Sequence, residues 1–196
     1  MTNDAPTPDP ARTAPPVDQT DLAAVEAQLS RTPRGVRRVA HRCPCGNPDV
    51  VETAPRLPDG TPFPTLYYLT CPRAAAAISR LEAAGLMKTM TARLADDASL
   101  RAAYQDAHQD YLARRREAAA AAGVAPLPDG TQTAGGMPVR VKCLHALLAH
   151  ELARPGHNPF GREAATAAGP WWSDGPCVPS PPGDGVVAPS DEKEGS

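Results

Sequence analysis

The sequence predicts a single α+β domain in which a short antiparallel sheet is packed by about four helices. Three observations support this. Large apolar residues are concentrated in the middle of the chain, whereas both ends are rich in Pro and small polar residues. A Pro-Asp-Gly turn at residues 58–60 separates two β-like segments, and four other segments repeat apolar residues at helical spacing. The predicted domain spans residues 18–165, between tails at 1–17 and 166–196 that are expected to be disordered.

The β-like segments lie between residues 36 and 70. Residues 36–42 alternate weakly and fit a strand or an extended arm, and Val50 and Val51 continue the β-like pattern. Residues 65–70, rich in Tyr and Leu, give the strongest strand signal. We expect the segments on the two sides of the Pro-Asp-Gly turn to pair antiparallel.

Helices are predicted near residues 20–30, 72–84, 97–121 and 141–153. Asp18 and Asp96 or Asp97 offer N-capping carboxylates, and Pro72 fits the first position of a helix because its missing N–H needs no partner there. Residues 123–138 form a polar loop punctuated by Gly and Pro. A turn at residues 158–161 is expected to end the ordered part.

The composition argues against several classes of function. A net charge of −2 and a pI near 6.2 do not fit a chain built to coat nucleic acid or an anionic membrane. Neither a membrane span nor a signal pattern is found, and five cysteines without an export signal fit reduced thiols in the cytoplasm. Two basic patches could contact phosphates or an acidic protein partner, although a solvated face explains them better. They comprise Arg31, Arg34, Arg37, Arg38 and Arg42, and Arg114, Arg115 and Arg116.

Cysteines and histidines carry the chemistry that the sequence suggests. Cys43, Cys71 and Cys143 lie at edges of predicted elements, where side chains from separate segments can converge. Three or four thiolate or imidazole ligands suffice for zinc or an iron–sulfur cluster, but paired CxxC spacing is lacking. His150 lies seven residues from Cys143, roughly 10 Å along a helix, whereas His145 could join Cys143 if that cysteine precedes the first turn.

Two other interpretations of the cysteines stay open. Cys71 and Cys143 could be small buried hydrophobes, with His145 or His150 hydrogen-bonded in the core or at the surface. Alternatively, Cys143 could be the nucleophile of a thiol-dependent enzyme, because a helix amino terminus, the neighbouring Lys142 and an imidazole would all stabilise its thiolate. An orienting third residue for that role is not evident from the sequence.

Several motifs occur together in one order. They are CPxGxPxV at residues 43–50, DGTPFPTLYYLTCP at 59–72, SRLEAAG at 79–85, KCLHALLAHELA from residue 142 and NPFG at 158–161. In these motifs the chain resembles the domain-of-unknown-function 501 family of bacteria, mainly actinobacteria, over about residues 30–162. The function of that family is not established.

The resemblance implies which residues belong to a family pattern. It implies that Cys43, Cys71, Cys143, His145 and His150 belong to that pattern. Together with the positions of the cysteines at the edges of elements, this makes the five residues our candidate ligands of a metal ion or iron–sulfur cluster. Cys45 and Cys177 lie outside that pattern and are expected to be incidental. Family members are often encoded beside a septum-formation initiator-like protein, which implies a non-catalytic role linked to cell division as a further alternative.

Overall fold

The structure, a computed structural model, describes residues 17–130 and 133–179. Nearly all of the predicted amino-terminal tail therefore lies outside the described residues. Of the predicted carboxyl-terminal tail, residues 166–179 are described and continue the last helix into a series of turns.

Three strands form one antiparallel sheet in the order β1-β2-β3: β1 is Val36–Arg42, β2 is Pro48–Thr53 and β3 is Tyr67–Leu69. Val51 of β2 is central, because it pairs with Val39 on one side and Tyr68 on the other. All six residues of β2 are buried. Residues 36–42 are thus an edge strand and not an extended arm, and the mixed α+β architecture confirms the predicted fold class.

Six α-helices accompany the sheet in the described residues: α1 Gln19–Leu29, α2 Pro72–Ala83, α3 Leu86–Asp96, α4 Ala98–Ala121, α5 Leu144–Ala153 and α6 Pro159–Ala168. The predicted caps are present. Asp18 accepts a hydrogen bond from the Asp21 N–H, and Asp97 accepts one from the Leu100 N–H. No described helix combines the length and the apolar character that a membrane crossing requires.

Two of these helices, α3 and α6, were not predicted. Gly85, with φ of 86°, follows α2 near the predicted end at residue 84 and leads directly into α3. At residues 158–161 the predicted turn is the start of α6, because the Asn158 side chain accepts from the Gly161 N–H and Pro159 takes the first helical position. Asn-Pro is ambiguous in a sequence, since it both ends and begins helices.

Helix α5 lies in the centre of the domain. Its Leu144, Leu147, Leu148 and His150 are fully buried, and it packs against α2, α6 and the sheet. Around it, Tyr67 and Tyr111 meet edge to face at 6.0 Å between ring centroids, and the Tyr111 hydroxyl accepts the Leu66 N–H at 2.6 Å. The core therefore joins α4, α5 and β3 through a few large aromatic side chains.

The contact between α5 and α6 is unusually close at Gly161. A Cβ atom at this position would lie 2.2 Å from the Leu147 carbonyl oxygen and 2.7 Å from the Glu151 Cβ. Since the first of these atoms belongs to helix backbone, no side-chain rotation can relieve the overlap. The two helices can pack at this separation because residue 161 has no side chain.

We expect Gly161→Ala to lower the free energy of unfolding by about 2 kcal/mol or more. Overpacking costs roughly 1–3 kcal/mol and outweighs the gain of about 1 kcal/mol in helix propensity. Urea titration followed by circular dichroism measures the change. Ala167→Ser, on the exposed side of α6, is the control and should change stability by less than about 0.5 kcal/mol. A Gly161→Ala protein as stable as the wild type would contradict this account of the packing.

Candidate functional site

The amino terminus of α5 holds the most concentrated group of reactive side chains. Cys143 is the residue before the helix and is extended, with φ of −155° and ψ of 110°. The helix therefore begins three residues later than the predicted residue 141. Glu82, near the end of α2, accepts the Leu144 N–H at 2.6 Å and so caps α5 from a neighbouring helix.

Three side chains converge at this point. The Cys143 Sγ lies 4.0 Å from the His145 Nδ1, and the same nitrogen lies 3.2 Å from a Glu82 carboxylate oxygen. One ligand atom from each of the three residues lies within 4.8 Å of the other two. Two residues apart inside a helix, Cys143 and His145 would point in different directions, so their meeting depends on the extended backbone at Cys143.

The second nitrogen of His145 is held by α2. Its Nε2 lies 3.2 Å from the Ala75 carbonyl oxygen and 3.4 Å from the Ser79 hydroxyl oxygen. Because a carbonyl only accepts, the proton of the neutral ring belongs on Nε2. The Nδ1 lone pair then faces a carboxylate and a sulfur atom, an arrangement that requires a proton or a metal ion between them.

The proton equilibria agree with this geometry. The Cys143 thiol and the Glu82 carboxylate raise the pKa of His145 to about 9, against the effect of burial. Burial raises the pKa of Cys143, but the His145 imidazole and the Ala146 N–H outweigh it, and the net pKa is lowered. In the absence of a metal, the lowered pKa of Cys143 and the raised pKa of His145 both shift this pair toward a thiolate and an imidazolium.

Glu82 is the residue that sequence reasoning missed. It lies in the SRLEAAG segment that carries part of the family resemblance, as does Ser79. However, 61 residues separate it from Cys143, and only the packing of α2 on α5 brings the two together. Residues near Glu82 in the sequence do not indicate its partner.

His150 occupies a separate, fully buried position. Its ring stacks on Tyr67 at 5.8 Å between centroids, its Nε2 lies 3.0 Å from an Asp110 oxygen, and Asn158 meets its Nδ1 at 3.2 Å. Since the Asn158 oxygen accepts from Gly161, its amide nitrogen donates to Nδ1, and Nε2–H donates to Asp110. Burial lowers the pKa of His150 in spite of Asp110. His150 thus serves the core and does not join Cys143.

Cys43 and Cys71 lie at an end of the sheet. Cys43 is in the turn after β1, where its N–H donates to the Asn47 carbonyl, and Cys71 directly precedes α2. Glu82 follows Cys71 by eleven residues of helix, about 16 Å. Burial raises the pKa of both thiols to about 12. The five candidate ligands named from the sequence are therefore distributed over three places.

Cys45 and Cys177, expected to be incidental, are found beside Cys43 and Cys71. Cys45 interacts with the thiols of Cys43 and Cys177, and Cys71 interacts with that of Cys177. The four side chains come from the β1–β2 turn, the end of β3 and the carboxyl-terminal segment. Neither the spacing of these cysteines nor the family resemblance indicated this arrangement.

Most arginines of the two patches are engaged within the protein. Arg37 and Arg38 both bind the Glu52 carboxylate, and Arg42 binds Asp21 through contacts of 2.6 and 2.7 Å. On α4, Arg114 pairs with Glu117 of the same helix. Arg115 and Arg116 contact residues that follow the helix, the Pro128 carbonyl and Asp129 respectively. These ion pairs reduce the positive charge that an external partner would meet.

Comparison with known proteins agrees with the motifs. Residues 39–166 match the model of a family described as protein of unknown function (DUF501). No curated protein and no solved structure matches the chain. Glu82, Cys143 and His145 lie inside the matched range, whereas Cys177 lies beyond it. Because the match covers more than half of the sequence, the chain belongs to the DUF501 family, as its motifs predict.

Proposed function

We propose that Glu82, Cys143 and His145 bind a divalent metal ion, with zinc the best match. The observation that carries the proposal is the convergence of three electron-pair donors on one point. In a tetrahedral zinc site with bonds of about 2.0–2.3 Å, ligand atoms lie roughly 3.3–3.6 Å apart. The distances of 4.0 Å and 3.2 Å differ from these values by a few tenths of an ångström.

The surroundings of the three side chains favour the same proposal. Metal-bound histidines usually donate their other N–H to a carbonyl or carboxylate, and here Nε2 faces the Ala75 carbonyl. The Glu82 carboxylate is anchored by the Leu144 N–H. A thiolate and a carboxylate together balance the charge of a divalent ion, so little net charge would remain at the helix end.

Three protein ligands leave one tetrahedral position open, which is typical of sites that bind water or a substrate group. The cluster is partly accessible, since the His145 and Glu82 side chains are 29% and 22% exposed. Compared with the ligand set named from the sequence, this proposal keeps Cys143 and His145, adds Glu82 and does not require Cys43, Cys71 or His150.

Removal of any of the three side chains should lower the zinc content by about one equivalent per chain. The variants are Cys143→Ser, His145→Gln and Glu82→Gln, and inductively coupled plasma mass spectrometry of protein purified under reducing conditions measures zinc. Glu163→Gln is the matched control, because Glu163 pairs with Arg93 at an exposed site. Zinc contents equal to the wild type in all three variants would exclude metal binding here.

A second function uses the same atoms with a proton in place of the metal ion. Cys143 would then be the nucleophile of a thiol-dependent enzyme, with His145 as its proton acceptor and Glu82 orienting the imidazole. The observation that favours this role is the lowered pKa of Cys143 together with the pKa of about 9 at His145. Glu82 supplies the third residue that was not evident from the sequence.

For this second function we expect iodoacetamide to alkylate Cys143 faster in the folded protein than in denatured protein at pH 7 with a chelator present. The thiolate would persist below the ordinary thiol pKa of about 8.5, because the imidazolium stabilises it up to about pH 9. His145→Gln removes that charge, raises the thiol pKa and should slow alkylation at pH 7 about tenfold. Peptide mass spectrometry gives the rate at Cys143. Equal rates in the wild type and His145→Gln would eliminate the nucleophile.

A further inference from the structure

We propose that Cys43, Cys45, Cys71 and Cys177 form a second metal site, of the four-thiolate type, that fastens residues 169–179 to the sheet. The ion expected is zinc or iron, which four thiolates bind in tetrahedral geometry. This inference is independent of the Glu82–Cys143–His145 cluster, since the two share no residue.

The sheet brings three of the four cysteines to the same end. Cys43 and Cys45 lie in the turn between β1 and β2, closed by the bond from the Cys43 N–H to the Asn47 carbonyl. The Thr70 N–H donates to the Asp49 carbonyl at 2.8 Å, so Cys71 follows β3 beside the first residues of β2. Antiparallel pairing of β2 with both neighbours therefore places the turn and Cys71 together.

The fourth cysteine is brought by the carboxyl-terminal segment. The Gln28 side-chain amide donates to the Cys177 Sγ at 3.2 Å and to the Pro48 carbonyl at 2.7 Å. Next to it, the Asn47 side chain donates to the Val178 carbonyl at 3.0 Å. Two buried side chains, from α1 and the β1–β2 turn, thus hold residues 177 and 178 at the end of the sheet.

The pKa shifts of three of the thiols agree with this placement, because each has a neighbouring thiol among its causes. Cys45 contributes to the pKa of Cys43, Cys43 and Cys177 contribute to that of Cys45, and Cys177 contributes to that of Cys71. No three of these sulfur atoms lie within 4.8 Å of one another, whereas ligands of one zinc ion lie about 3.8 Å apart. Metal binding would draw them together by shifts in the turn and in the segment around Cys177, neither of which is part of a helix or strand.

Two buried hydrogen-bond donors close to Cys71 in sequence lack a partner, the Thr70 hydroxyl and Arg73 Nη1. Thiolate sulfur atoms accept hydrogen bonds, so a thiolate site beside Cys71 could satisfy such donors. Buried polar atoms nearly always have partners. A four-thiolate zinc site carries a charge of about −2, which the Arg73 guanidinium and the amino terminus of α2, directly after Cys71, would stabilise.

Cobalt substitution of the full chain tests the site. In the apo protein refilled with Co²⁺ under reducing conditions, thiolate ligands give an intense charge-transfer absorption in the near ultraviolet. We expect Cys177→Ser and Cys45→Ser to lose most of that absorption and about one equivalent of bound metal. Cys143→Ser should lose only the smaller contribution of the single thiolate in the α5 cluster, and Glu163→Gln, the control at an exposed ion pair, should keep the whole band. Cys45 and Cys177 are partly exposed, so their variants should fold even if Cys71→Ser does not.

Hydrogen exchange measures how firmly residues 169–179 are held against the sheet. Chelation of the wild type should raise exchange rates in residues 169–179 about tenfold, and Cys177→Ser should reproduce the change without a chelator.

The proposal is overturned if metal content and the cobalt band are unchanged in both Cys45→Ser and Cys177→Ser. It is equally overturned if unreduced protein contains a disulfide among these cysteines and no metal. Loss of metal in Cys143→Ser alone would support the α5 cluster and contradict this second site.

Discussion

The close approach of α5 to α6 is the constraint on which the rest of the structure depends. Gly161 allows it, because any side chain there would overlap the Leu147 carbonyl. The same junction is tied by Asn158, which caps α6 and donates to His150 of α5, while His150 donates to Asp110 of α4. One buried polar network therefore fixes three helices relative to one another, and with them the depth at which α5 lies in the core.

With α5 fixed, its amino terminus has to meet α2, and this contact creates the candidate site. Helix α2 presents Ala75, Ser79 and Glu82 on one face, at the spacing of successive helical turns. Ala75 and Ser79 contact the Nε2 of His145. Glu82 contacts the Nδ1 of His145 and accepts the Leu144 N–H. The Cys143 thiol and the Glu82 carboxylate both lie beside the Nδ1 of His145. A proton on Nδ1 would leave Cys143 as a reactive thiolate, whereas a bound metal ion would take all three side chains as ligands.

Local patterns in the sequence predicted the sheet, four helices and their caps, because these depend on residues near one another in the chain. They missed α3 and α6, whose first residues follow Gly85 and Asn158, both of which can end a helix as readily as begin one. For the site, helix geometry favoured His145 over His150 as the neighbour of Cys143, and in the structure Cys143 and His145 lie together while His150 lies apart in the core. Glu82 and Cys177 could not be assigned, since each meets its partners only through tertiary packing across 60 or more residues.

The carboxyl-terminal segment also has a consequence for the order of folding. Its contacts join Gln28 to Cys177 and Asn47 to Val178, separations of 149 and 131 residues in the chain. Closing a loop of that length in an unfolded chain costs about 4 kcal/mol or more in entropy, so these contacts should form after the helices and sheet have already shortened the path. During synthesis, the end of the sheet that carries Cys43 and Cys71 therefore stays uncovered until residue 178 has left the ribosome.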